Sequence, residues 1–185
     1  RTQENLEWER AYVDFNTAIG RFMVGYFDCI CYGTLFLNTH VSRPGIQYMY
    51  PLGPWTLGAK WEKVHEGGSY GIGSSGASLL YADKDLDIYT IDATYRWKTG
   101  QAGVQFGYYR DNYFDYSNGD AVGAYRSNIY TINPFFQAAI GNLGLEGEAW
   151  YGFGDWKDYN GSGDDVSLDA YAAYLNAKFG IGEFY

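Results

Sequence analysis

No stretch of this sequence is apolar over anything near the roughly 20 residues that a membrane-spanning helix needs. Helical spans are therefore excluded. Strands that cross a membrane are not, because their residues alternate and average out on a hydropathy scale; mean hydropathy here is −0.34. Cysteine is nearly missing. Cys29 and Cys31 are the whole complement, and on a strand they point the same way about 7 Å apart, which makes a local disulfide awkward. With only His40 and His65 beside them they are a weak metal pattern and read as inert residues. Two histidines, both near loops, also leave no visible Ser/His/Asp set. Basic residues are outnumbered, 13 against 22 acidic ones, for a net charge of −9. That argues against nucleic acid as the main partner, because phosphate binding needs a basic face. There is no initiator Met and no signal peptide at Arg1, consistent with a processed chain or a fragment.

What the chain does have is glycine (25 residues), tyrosine (20) and aromatics at 20% overall, within a length of 185 that suits one domain. Period-two runs follow one another from end to end, at about 6–16, 20–31, 44–51, 54–65, 85–98, 101–112, 126–140, 143–156 and 168–179, with a tenth starting at Glu183. The connections alternate without a break. Thr17–Gly20, Leu52–Pro54, Thr99–Gly100, Gly141–Asn142 and Gly180–Gly182 are short, whereas 32–43, 66–84, 113–125 and 157–167 are long and mostly polar. In an up-and-down sheet every second connection lies at the same end. All tight turns then fall on one side and all long loops on the other, the architecture of an outer-membrane barrel with short periplasmic turns. A sandwich with Greek-key crossings has no reason to keep this rhythm.

Splitting the runs by parity gives two unlike faces. One is apolar and free of charge, with Phe15, Phe22, Trp55, Tyr95, Trp97 and Phe179 next to tight turns, and Tyr89 and Tyr151 toward the loops. Ile91, Val104, Phe106 and Leu175 belong to the same face. Aromatic ends around an aliphatic middle are a double girdle, and these twelve residues are expected to face lipid. The other parity holds Arg10, Asp14, Arg21, Lys60, Glu62, Asp92, Arg96, Lys98, Gln105, Glu146, Glu148, Asn176 and Lys178. Both signs on one face suit a wet surface, and these are the expected pore-lining residues. Pro134, mid-run, argues for an edge or a bulge there.

Nine strands and a stub do not close a bacterial barrel, which uses an even number. The count points to a segment of a larger antiparallel up-and-down barrel of about 14–18 strands, with a ten-strand barrel second.

The run from Leu6 to Tyr26, containing Arg10-Ala-Tyr-Val13, a turn ending at Gly20 and Phe22-Met-Val-Gly-Tyr26, resembles the hairpin that precedes the constriction loop in bacterial general porins. Gly33-Thr-Leu-Phe36 looks like the start of that loop, and Pro51–Trp61 and Asp169–Gly180 have the same character. The resemblance is to porins of Gram-negative bacteria. It implies a water-filled channel in the outer membrane, often a homotrimer, passing small polar solutes or ions by diffusion. It further implies no enzymatic activity and no cofactor, contact with lipid and lipopolysaccharide, and Arg10, Asp14 and Arg21 near the constriction. Such porins are usually about twice this long.

Three patterns compete. Gly71-Ile-Gly-Ser-Ser-Gly76 has dinucleotide-binding spacing, but Leu79–Tyr81 opens no helix, so a surface loop is the reading. Asp158, Asn160 and Asp164 offer oxygens for calcium without the closing Glu of an EF-hand loop. Glu146 and Glu148, about 7 Å apart on a strand beside Trp150, would suit a glycosidase. They carry the alternative, a soluble β-sandwich that binds or cleaves carbohydrate.

Overall fold

Two-residue turns and period-two runs fold this chain into one long meander of strands. A computed structural model describes residues 9–28, 32–34, 36, 41–66, 71–72, 78–79, 85–112, 125–159 and 163–180. The strands are β1 (Ala11–Thr17), β2 (Gly20–Asp28), β3 (Ser42–Leu52), β4 (Trp55–His65), β5 (Gly71–Ile72), β6 (Ser78–Leu79), β7 (Leu86–Trp97), β8 (Gly100–Asp111), β9 (Tyr125–Ile140), β10 (Leu143–Tyr159) and β11 (Val166–Phe179). Nine of them form a single antiparallel sheet in the order β1-β2-β3-β4-β7-β8-β9-β10-β11, and β5 pairs with β6 as a small hairpin within the β4–β7 connection. The described residues contain no helix.

The tight turns are set locally. Gly53 and Gly141 both have φ 58°, the left-handed geometry that lets a two-residue hairpin follow the sheet twist. At the first turn the Thr17 hydroxyl donates to Gly20 O at 2.8 Å and accepts from Ile19 N at 3.2 Å. From each tight turn the register runs without slippage along most of every strand of the sheet. The shifts it does show, at Lys63–His65 and Asp155–Asp158, lie at the loop end.

One expectation changes, and two reach beyond the described residues. β2 is described to Asp28, and residues 29–31, the rest of the expected second run, lie outside the described residues. The tenth run, from Glu183, lies outside the described residues. Pro134 makes neither an edge nor a bulge. It stays in β9 opposite Val104 of β8, with no register shift. Its missing N–H shows instead as a gap in the ladder toward β10. The pairing stops at Phe135↔Glu148 and resumes in the same register at Ile132↔Tyr151.

Candidate functional site

Burial in this sheet is inverted relative to a water-soluble protein. The buried apolar side chains, Met23, Phe27, Ile88 and Phe135, all lie on the charge-bearing face by register. So do the buried Glu62, Thr90, Thr94, Thr131 and Glu148. The opposite face is the open one, with Ile91 61% and Val104 46% exposed; its charges, Lys63, Asp87 and Arg110, lie at the loop end, where Asp87 is buried. All twelve residues expected to face lipid share that face: Phe15 opposite Phe22, Trp55 opposite Tyr95, and Ile91 opposite Phe106, with the other strands continuing the same rows. Their rings pack in rows near both ends of the strands. Trp55, Tyr95 and Trp97 sit 5.0 and 6.0 Å apart at the turn end, and Tyr89, Tyr108, Tyr130 and Phe153 run at 5.1–6.0 Å toward the loops. The loop-side row ends in polar tips: Trp61 Nε1 donates to Asp87 at 3.0 Å and Tyr108 Oη to Asn128 at 2.7 Å.

A short segment between β2 and β3 lies on the opposite face. Tyr32 Oη donates to Ala93 O on β7 at 2.9 Å, and its ring meets Phe135 of β9 edge-on at 5.0 Å. Thr34 donates from its backbone N–H (2.7 Å) and its hydroxyl (2.5 Å) to Glu148 on β10, which is 4% exposed. Glu148 accepts a third bond from Asn133 Nδ2 at 3.0 Å. Phe36 stacks on Tyr174 of β11 at 5.4 Å. One short segment thus reaches β7, β9, β10 and β11, so the polar face curves around it. Gly33, at φ 81°, allows the close approach; a Cβ there would meet the Glu148 carboxylate at 2.9 Å and Phe135 at 3.0 Å. Burial pushes the Tyr32 phenol from its ordinary 10.0 up to about 12. Its contribution is complete below pH 10.0 and disappears as pH rises through about 12. A difference titration of tyrosinate absorbance between wild type and Tyr32→Phe should show that late step and lose it in the variant.

The remaining charges form separate groups. Arg21 grips Asp14 in a two-pronged pair, Nε to Oδ1 at 2.8 Å and Nη2 to Oδ2. Glu62 lies between Lys60 and Arg43, whose Nη1 is 3.3 Å away. The Asp92 carboxylate lies across Gly58, where any Cβ would collide with it, and Gln105 is its partner on β8. Arg96, Glu146, Asn176 and Lys178 gather at the turn end around an open groove of about 430 Å³. Lys98 lies in the adjoining turn, and Arg10 sits ahead of β1, ion-paired with Asp28 at 3.2 Å.

The competing patterns look different in three dimensions. Gly71 belongs to the small β5–β6 hairpin, and residues 73–77 of the glycine motif lie outside the described residues. So do Cys29, Cys31, His40 and Asn160. Among the described residues no three His, Cys, Asp or Glu side chains gather as metal ligands, and Asp165 accepts from the Tyr159 N–H at 3.0 Å. Glu146 and Glu148 share a face but not a task. Glu148 holds Thr34 and Asn133, whereas Glu146 accepts from Tyr174 and Asn176, each at 2.9 Å.

No protein-family model, curated protein or solved structure matches the chain. The site residues that parity alone does not reveal are Tyr32, Thr34 and Phe135. The signal that touches them is Gly33-Thr-Leu-Phe36, whose Thr34 bonds to Glu148 and whose Phe36 stacks on Tyr174.

Proposed function

We propose that this chain forms the wall of an outer-membrane β-barrel pore through which small polar solutes or ions diffuse. The observation that carries the reading is the inverted burial. Large apolar side chains lie open on one face of the sheet, with nothing from the described residues packed on them, while the charged face curves around an in-turned segment. Exposing such a face to water is unfavourable by about 25 cal/mol per Å² of apolar surface, and lipid removes that penalty. The aromatic rows fit the two lipid–water interfaces, and the polar tips of Trp61 and Tyr108 fit the headgroup layer. The strands of 7 to 17 residues bracket the 9–11 or so needed for a tilted crossing, the longest running on into the loops. The open edges β1 and β11 are where further strands of a larger barrel join. Opposed charges on the wall set a transverse field that favours polar solutes over apolar ones.

The purified protein should require detergent to stay dispersed, migrate differently on a gel before and after boiling, and give discrete conductance steps in a planar bilayer. A protein that stays monomeric in plain buffer would overturn the reading.

A further inference from the structure

At the turn end of the charged face, beyond the in-turned segment, polar side chains link neighbouring strands into a ladder. Arg96 on β7 donates from Nη1 to Thr56 Oγ1 on β4 at 2.7 Å and from Nε to Gln101 Oε1 on β8 at 3.1 Å. Gln101 Nε2 donates on to Gln137 Oε1 of β9 at 2.7 Å. Across the groove, Glu146 of β10 accepts from Tyr174 and Asn176 of β11. Arg96 and Lys178 flank this single carboxylate within the groove of about 430 Å³. The local balance is positive, two cations against one anion, in a chain whose net charge is −9.

We propose that this groove binds a small hydroxylated oxyanion, a carboxylate or phosphate that also carries hydroxyl groups. The Arg96 fork is already held in place through two of its N–H donors, and a guanidinium has five, so further donors remain for an oxyanion. Holding the fork in advance lowers the entropy lost on binding. Gln101, Gln137 and Asn176 present amide groups with spare donor and acceptor capacity, which suits hydroxyls. Bonds from Tyr174 and Asn176 hold the Glu146 carboxylate against β11, away from free rotation into the groove. The proposal rests on the pore reading only for its biological meaning; the binding itself does not depend on conduction.

Calorimetric titration of the detergent-solubilised protein tests it, with inorganic phosphate in one arm and gluconate in the other. Saturable binding in either arm is expected, and which arm responds identifies the anion. Arg96→Gln and Lys178→Gln should each weaken it by about tenfold, the loss of one charge-assisted contact, while Glu146→Gln tightens it. Heat-modifiable migration reports that each variant is folded. No saturable heat in either arm, or folded Arg96→Gln and Lys178→Gln variants that bind as wild type does, would overturn the proposal. Conductance steps without anion binding remove the groove and leave the pore, whereas binding without steps removes the pore and leaves the groove.

Discussion

Val104→Arg is expected to destabilise the protein folded in a bilayer by about 2–4 kcal/mol, the cost of an arginine near the membrane midplane on the lipid face of a barrel. Val104 lies mid-strand on β8, between Ala93 of β7 and Pro134 of β9, in the apolar middle of its face, and it is 46% exposed. That exposure makes the variant decisive. If the face met water, replacing a half-exposed valine by arginine would change stability by no more than about 0.5 kcal/mol in either direction. Gln105→Arg is the internal control. It is the next residue, points to the opposite face, and sits beside Asp92 and Asn133, so it should cost less than about 1 kcal/mol. Denaturant titration of the protein refolded into vesicles measures both. Equal effects at positions 104 and 105 would show that the two faces have the same solvent, and the assignment of inside and outside would fail. Ile91→Lys, on the adjacent strand and still more exposed, should repeat the Val104 result.

The strands and their two faces were legible because both are local properties. A period of two is written in consecutive residues, and a slip by one would put Ile91 and Val104 where Asp92 and Gln105 belong, so the pattern pins the register. The tight turns are equally local: Gly53 and Gly141 supply the positive φ that the hairpins need. Length was less legible. β10 runs on to Tyr159, and its last stretch is held by a long-range bond from Ser127 Oγ to Trp156 O at 2.6 Å. What parity could not show is which members of the charged face are covered. Glu146 and Glu148 look alike in sequence, yet one rims an open groove while the other is buried beneath Thr34, a residue 114 positions away. The four buried apolar residues on the charged face, Met23, Phe27, Ile88 and Phe135, read in sequence as breaks in a mainly polar row. For Phe135 the reason is visible in space, since it seats the Tyr32 ring. Long-range contacts of this kind leave no periodic signature. The glycine at 33 is a partial exception, because a left-handed residue beside a threonine marks a place where backbone comes close to something.

Glu148→Ala should have the second large effect, and it acts on two observables at once. The carboxylate accepts from the Thr34 N–H, the Thr34 hydroxyl and Asn133 Nδ2, and it is 4% exposed. Removing it strands donors in a site from which water is largely excluded, and each buried donor left unpaired costs about 1–3 kcal/mol. The structure has a way to relieve part of that cost. The segment can lift from the wall and hydrate its own groups, giving up the Tyr32–Phe135 and Phe36–Tyr174 ring contacts. The expected result is a loss of about 2–5 kcal/mol in folded stability together with a larger single-channel conductance, since the polar face is no longer narrowed at that level. Thr34→Val separates the terms. It keeps the backbone N–H bond and deletes only the hydroxyl, so about 1–2 kcal/mol and a smaller conductance change are expected. Because the two residues share one interaction, the double variant should fall short of the sum of the singles. A Glu148→Ala protein that is weakened but conducts as wild type would mean that the segment braces the wall without narrowing the pore. Unchanged stability would mean that the Thr34–Glu148 contact is not made in the membrane at all.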